Sequence, residues 1–244
     1  MRVLVLQHIA CEHPGIFRDF MAEDGIEWRA VELDEGEPIP DLDGFDALFS
    51  MGGPMDVWQQ DEHPWIASEL DAIRRWVGGS RGPFLGFCLG HQLLAEALGG
   101  EVGPAAQPEI GVMSVRLTDA GRASPFLRGV PDEFPCLQWH SAEVVRAPAG
   151  AEILISSPAC AVNALSWAEH AFSVQFHVEL TPSTVSEWGG IPEYDRALED
   201  ALGAGALTRL DAEAAANMPI FASLARTLYR NFIAAARGSD RRTR

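Results

Sequence analysis

The chain begins with an unbroken apolar run, Val3-Leu4-Val5-Leu6. A run with no polar alternation is the pattern of a strand buried on both faces of a parallel sheet. A polar turn around His13-Pro14-Gly15 leads into a helix over 16–22, and strands are predicted over 26–31 and 47–50. Residues 63–77 place Trp65, Ile66, Leu70, Ile73 and Val77 at helical spacing, a one-sided stripe for packing on a sheet. A fourth strand closes on Pro83-Phe84-Leu85. After it, Leu93, Leu94, Ala97 and Leu98 predict a helix that stops at Gly99-Gly100. This alternation predicts an α/β chain with a doubly wound, mostly parallel open sheet flanked by helices. In such sheets ligands bind beyond the carboxyl ends of the strands.

The rhythm changes between 111 and 179. Short β runs at 112–117, 134–139, 143–145, 153–155, 161–167 and 172–176 predict an extension of the sheet with a small antiparallel part. Residues 181–236 read as helical, over 183–188, 194–202 and a longer piece interrupted by Pro219. Its Ile220, Phe221, Leu224, Leu228 and Phe232 repeat at helical spacing. No internal repeat or low-complexity linker divides the chain, so a single domain over 1–236 is expected. Residues 237–244, with Gly238, Ser239 and Asp240 among arginines, read as a basic, disordered tail.

Composition narrows the function. The 244 residues, 47% of them hydrophobic, suffice for one large α/β core. A formal charge of −17 argues against nucleic acid or an anionic membrane as partner. The chain has no lysine, which excludes Schiff-base chemistry and a P-loop. The first residues enter a strand at once and meet charge by Glu12, so neither a signal peptide nor a membrane span is expected, and the cytoplasm is the predicted location. Cys11, Cys88, Cys136 and Cys160 show no paired spacing, which suits reduced thiols rather than disulfides or zinc. The His8-Ile9-Ala10-Cys11-Glu12-His13 run matches no common metal-ligand spacing.

Candidate chemistry centres on Gly86-Phe87-Cys88-Leu89-Gly90-His91-Gln92, at the turn between the fourth strand and its helix. A free cysteine is most often a small buried hydrophobe. Here, glycines two before and two after it have the spacing of a nucleophile elbow, where strand and helix backbones nearly touch. The thiol then stands at a helix N-terminus, which favours thiolate, with the Leu89 N–H where an oxyanion would form. Met51-Gly52-Gly53-Pro54-Met55 follows the third strand. A glycine turn alone is weak evidence, but beside the elbow a Gly53 N–H would complete a two-donor oxyanion hole. His177 and Glu179, two apart at a strand end, share a face and supply a base with an acid to fix its tautomer.

These three motifs, in this order, resemble the class I, triad-type glutamine amidotransferases, particularly free-standing GMP-synthase-like members. The resemblance runs from the first strand to Asn231-Phe232 and implies a flavodoxin-like fold. It implies Cys88 as nucleophile, His177 as base, Glu179 as orienting acid, and Gly53 and Leu89 as oxyanion donors. It places Gln92, Gly52 and the Gln138-Trp139-His140-Ser141 loop against the glutamine substrate. Val178 stands where the family usually has proline, and Ser141 where it commonly has glycine. The activity implied is hydrolysis of a glutamine or γ-glutamyl amide through a Cys88 thioester, without metal or organic cofactor. A stand-alone hydrolase is the first expectation. The alternatives are a glutaminase subunit supplying ammonia to a synthase partner, and a degenerate binding protein.

Overall fold

The computed structural model describes residues 1–79 and 82–240. Its strands form one sheet of nine. In chain order they are β1 (Arg2–Gln7), β2 (Glu27–Glu32), β3 (Ala47–Ser50), β4 (Phe84–Phe87), β5 (Glu101–Leu117), β6 (Glu133–Arg146), β7 (Ala151–Ser156), β8 (Ala164–Trp167) and β9 (Ala171–Val174). Their spatial order is β2-β1-β3-β4-β9-β8-β7-β5-β6. The first five positions pair in parallel and the rest antiparallel. The antiparallel extension is a substantial half of the sheet, because β5 and β6 are its longest strands.

Alternation along the parallel strands explains why the sheet needs helices on both faces. Val3, Val5, Phe49, Leu85 and Phe87 point into one core, while Leu4, Leu6, Leu48 and Phe84 point into the other. The first core is covered by α1 (Phe17–Glu23) and by the last helix, through Phe17, Phe20, Tyr229 and Phe232. The second is covered by α2 (Trp65–Ile73) and α3 (Leu89–Ala97), through Ile66, Leu70, Leu93 and Leu94. Each such side chain taken from water contributes roughly 1.5–3 kcal/mol.

Several elements differ from their predicted form. The segments expected separately at 134–139 and 143–145 are one strand, β6, because β5 pairs along its whole length, with Glu109 opposite His140 and Pro104 opposite Ala142 across a register shift. Residues 138–141, expected as a loop, therefore lie in that strand. The short helix α4 (Asp119–Ala123), capped by Thr118, has no counterpart in the predicted pattern. After α5 (Thr184–Trp188) and α6 (Pro192–Leu202), the helix α7 (Ala206–Asp240) is continuous rather than interrupted at Pro219. Pro219 is exposed, so the carbonyl that loses its intrahelical donor can turn to water. Ile220 likewise faces solvent, unlike Phe221, Leu224, Leu228 and Phe232. The helix runs past the boundary at Ala236, beyond which a disordered tail is expected from sequence; residues 241–244 lie outside the described residues. Among the described residues no helix is long and apolar enough to cross a membrane.

Candidate active site

Strands β1, β3, β4 and β9 are parallel neighbours, so their carboxyl ends share one edge of the sheet. His8, Gly52, Cys88 and the segment leading to His177 leave from that edge. Cys88 has φ 46° and ψ −102°, a conformation that L-residues rarely adopt. Neighbouring contacts hold it there. A Cβ on Gly86 would lie 2.6 Å from the Gly90 carbonyl oxygen, and one on Gly90 would overlap the Ser50 carbonyl. The Cys88 N–H donates to Val174 O at 2.9 Å, tying the elbow to β9. The two glycines are thus required by backbone approach, as their spacing predicts.

His177 is pinned by a backbone bridge to β6, with its N–H on Leu137 O at 2.8 Å and its carbonyl accepting the Leu137 N–H at 3.1 Å. Its Nδ1 lies 2.6 Å from Glu179 Oε1. The other Glu179 oxygen accepts the Val178 N–H at 2.9 Å. Cys88 acts electrostatically on the same ring, so the sulfur and the carboxylate both bear on one imidazole. Burial disfavours the charged ring, but the Glu179 carboxylate and Cys88 outweigh it and hold the His177 pKa well above its ordinary value. A protonated imidazole on the sulfur is the charge partner a thiolate needs.

A cavity of about 210 Å³ opens over Cys88 and is walled by Gly53, Leu89, Gln92, His140, Ser141 and Tyr194, among others. Among the described residues, neither the Gly53 N–H nor the Leu89 N–H meets an acceptor. As the first residue of α3, Leu89 has no intrahelical acceptor available. Gln92 borders the cavity with its amide nitrogen already donated to Ala142 O (3.0 Å) and Gln175 Oε1 (3.1 Å), which leaves its oxygen as the free group. The His140 ring is occupied on both sides, by Ala142 O at 2.9 Å and Glu109 Oε2 at 3.2 Å. Gly52 lies outside the cavity wall. Its carbonyl meets His8, and a Cβ there would come within 2.5 Å of the Glu12 carboxylate.

Other groups at the site have no sequence signal of their own. Glu12 is buried behind the histidine and accepts a hydrogen bond from the Tyr194 hydroxyl. Burial pushes the Glu12 carboxyl up, partly countered by His177, and burial of Tyr194 itself, reinforced by the Glu12 charge, raises its phenol well above the ordinary value. Gln175 Nε2 reaches Cys88 Sγ at 3.5 Å. The run from His8 to His13 does not converge, since His8 turns to Gly52 while His13 bonds Gly15 N and Arg18. Among the described residues one trio, Glu109, His140 and Cys160, could bring metal-ligand atoms within 4.8 Å of one another. Its His and Glu already satisfy each other, and burial pushes the Cys160 thiol up, away from the thiolate a metal would require.

The glutamine amidotransferase class-I family model matches residues 19–187, more than half of the chain. The chain belongs to the class I glutamine amidotransferases. A glutamine-hydrolyzing GMP synthase subunit from Sulfolobus acidocaldarius is 36% identical over 157 residues, 64% of this chain and 78% of that protein. Gamma-glutamyl peptidase 3 of Arabidopsis thaliana is 27% identical over 183 residues, 71% of each. The crystal structure of a glutamine amidotransferase from Thermotoga maritima superposes with a TM-score of 0.85, over 96% of this chain and 98% of that one, at 25% identity. The flavodoxin-like fold and the free-standing, GMP-synthase-like character expected from the motifs agree with these likenesses.

Proposed function

We propose that this chain is a stand-alone hydrolase of glutamine or a γ-glutamyl amide, working through a thioester on Cys88. The observation that carries the reading is the alignment of a strained Cys88 with His177 and Glu179, under a cavity walled by the Gly53 and Leu89 residues. The thiolate attacks the side-chain carbonyl carbon, and the resulting oxyanion lies between the Gly53 and Leu89 N–H groups. As the tetrahedral species collapses, the C–N bond breaks and His177 gives its proton to the departing ammonia or amine. Neutral His177 then takes a proton from water, whose oxygen attacks the thioester and releases glutamate, restoring thiolate and imidazolium. Each oxyanion donor is worth roughly 3 kcal/mol of barrier. The positioned acid–base adds about 10² to 10⁴ in rate. Gln92 and Ser141 hold the amino-acid end of the substrate, alongside the His140 backbone, whereas Gly52, outside the cavity wall, contributes no contact. This chemistry calls for no metal or organic cofactor.

Acting alone is supported by the strongly acidic composition, −17 overall with an acid-rich stretch at 32–46, which keeps a protein soluble without a large partner. The likeness to a protein named as a γ-glutamyl peptidase points the same way. Four free thiols suit the reducing cytoplasm. A second reading, ammonia supply to a synthase, is favoured by the higher identity to a glutamine-hydrolyzing GMP synthase subunit. A panel of γ-glutamyl amides and peptides, scored for released glutamate with purified chain alone and then with a co-purifying synthase, separates the two. Turnover alone on the order of 1 to 10³ per second supports the first reading. Negligible turnover alone, rising many-fold with the synthase, replaces it with the second, and no turnover in either case leaves only a degenerate binding protein.

A further inference from the structure

Behind the Gly52-Gly53 turn lies a buried polar chain that the hydrolytic scheme does not use. His8, just beyond β1, is fully buried, with Nδ1 2.9 Å from the Gly52 carbonyl oxygen and Nε2 2.8 Å from Glu69 Oε2 on α2. The Ser50 hydroxyl donates to the other Glu69 oxygen at 2.7 Å. A carbonyl oxygen only accepts, so Nδ1 carries a proton. Trp65 stacks on the ring, with centroids 5.1 Å apart and planes 11° from parallel, which fixes the direction of that N–H. Glu69 is a fully buried acid on the apolar face of its helix, a costly placement for packing alone.

We propose that His8, held by Glu69 and Ser50, is the positioning residue that aims the Gly53 N–H at the oxyanion. The inference rests on the reading of Gly53 as an oxyanion donor. In a trans peptide, the carbonyl of one residue and the N–H of the next point in opposite directions. The Gly52-Gly53 peptide is trans. Fixing the Gly52 oxygen on His8 therefore turns the Gly53 N–H away from His8, on a residue that shares the cavity wall with Cys88 and Leu89. Two consecutive glycines leave this peptide free to rotate, and a flipped peptide would present an oxygen to the developing negative charge. The Gly53 Cα has no room to drift, since a Cβ on it would lie 3.0 Å from His8 Cβ and 3.1 Å from the Leu89 side chain. Burial works against a charged His8, but Glu69 outweighs it and raises the pKa of the ring. An imidazolium on the carbonyl side polarises the peptide and makes its N–H a stronger donor.

The test uses the full chain with His8→Phe combined with Glu69→Leu, which keeps a ring against Trp65 and leaves no buried charge unpaired, and Glu69→Gln alone, which keeps volume and removes charge. For hydrolysis of a γ-glutamyl amide, kcat is expected to fall about 10- to 100-fold in the double variant and less in Glu69→Gln, with KM within about threefold, because the oxyanion exists only in the transition state. Alkylation of Cys88 by iodoacetamide, a direct displacement that forms no oxyanion, should stay within about threefold of wild type. Unchanged kcat in a folded variant, or alkylation falling in step with kcat, overturns the proposal. The Gly53 amide resonance in an NMR spectrum gives a readout independent of turnover, and it should shift in both variants. If wild type hydrolyses no γ-glutamyl amide, the functional reading fails while the resonance still judges the clamp: an unmoved Gly53 signal overturns it. If the double variant does not fold, Glu69→Gln decides by the same two measurements.

Discussion

Glu179 holds His177 Nδ1 at 2.6 Å with one oxygen and the N–H of the intervening Val178 at 2.9 Å with the other, so the acid is braced on the backbone that carries its own histidine. This fixes the tautomer with the proton on Nδ1 and leaves the other ring nitrogen to Cys88. In Glu179→Gln, the amide oxygen can still take the Val178 N–H, but its NH₂ then faces Nδ1 and favours the opposite tautomer. The expected loss in kcat is about 10² to 10⁴, comparable to that of other triads when the acid becomes an amide. His177→Ala should lose at least as much. Steady-state kinetics with melting curves check both, and wild-type turnover in either variant would move the base elsewhere, with His140 the next imidazole on the cavity wall.

Cys88 should be the one readily labelled thiol. Burial pushes the Cys11 thiol up to about 11, and the Cys136 and Cys160 thiols are raised by burial as well. Only Cys88 combines a helix N-terminus with a histidine whose charge its own sulfur favours. A glutamine-like chloro-isoxazole reagent at neutral pH is expected to modify Cys88 at least tenfold faster than any other cysteine, read by peptide mass spectrometry. Faster modification at Cys11, which is the most exposed of the other three, would contradict the elbow's role.

What was legible in the sequence follows from the range of the interactions involved. The elbow and the His177-Val178-Glu179 face are local: glycine spacing and the two-residue strand period encode them within a few positions. Contacts such as Glu12 with Tyr194 or His8 with Glu69 join residues 182 and 61 positions apart, and no local pattern announces them. The strand β5 was only half visible for a related reason. Residues 101–111 carry Pro104, Pro108, Gly103 and Gly111, a composition that reads as loop, and only the partner strand β6 draws them into a ladder. That long ribbon brings Trp139, His140 and Ser141 over the carboxyl edge of the parallel strands, so the site's far wall was the least legible part.

The elbow glycines carry their own stability test. A methyl group on Gly90 would overlap the Ser50 carbonyl, which belongs to β3 and cannot move without breaking the parallel ladder. Gly90→Ala is expected to cost at least 1–3 kcal/mol, the usual range for overpacking a rigid site. At Gly78 the position a Cβ would take has nothing within 4 Å, so Gly78→Ala is the control and should be within about 0.5 kcal/mol of wild type. Urea denaturation of the three proteins checks the difference. Equal midpoints for Gly90→Ala and wild type would mean that strand and helix are not in contact at the elbow.

The last expectation concerns His91, three residues beyond Cys88 on α3. The ring is fully buried, with Nε2 donating to Val162 O at 3.0 Å and Nδ1 accepting the Ser173 hydroxyl at 2.8 Å. Both contacts fit a neutral imidazole, and protonating Nδ1 would break the second. Burial accordingly lowers its pKa to about 3. Because the folded value lies below the unfolded value of about 6.5, the unfolded chain binds the extra proton first. The stability that neutral His91 contributes is therefore fully present above pH 6.5 and drains away as pH falls toward 3. While only the unfolded state is protonated, the slope from this group is about 1.4 kcal/mol per pH unit. In His91→Gln, whose amide can still reach a carbonyl, that slope is absent. The two proteins should thus differ most in urea midpoint near neutral pH, with wild type the more stable, and the gap should narrow steadily between pH 6.5 and 4. A gap that stays constant across this range would show that His91 is not neutral in the fold.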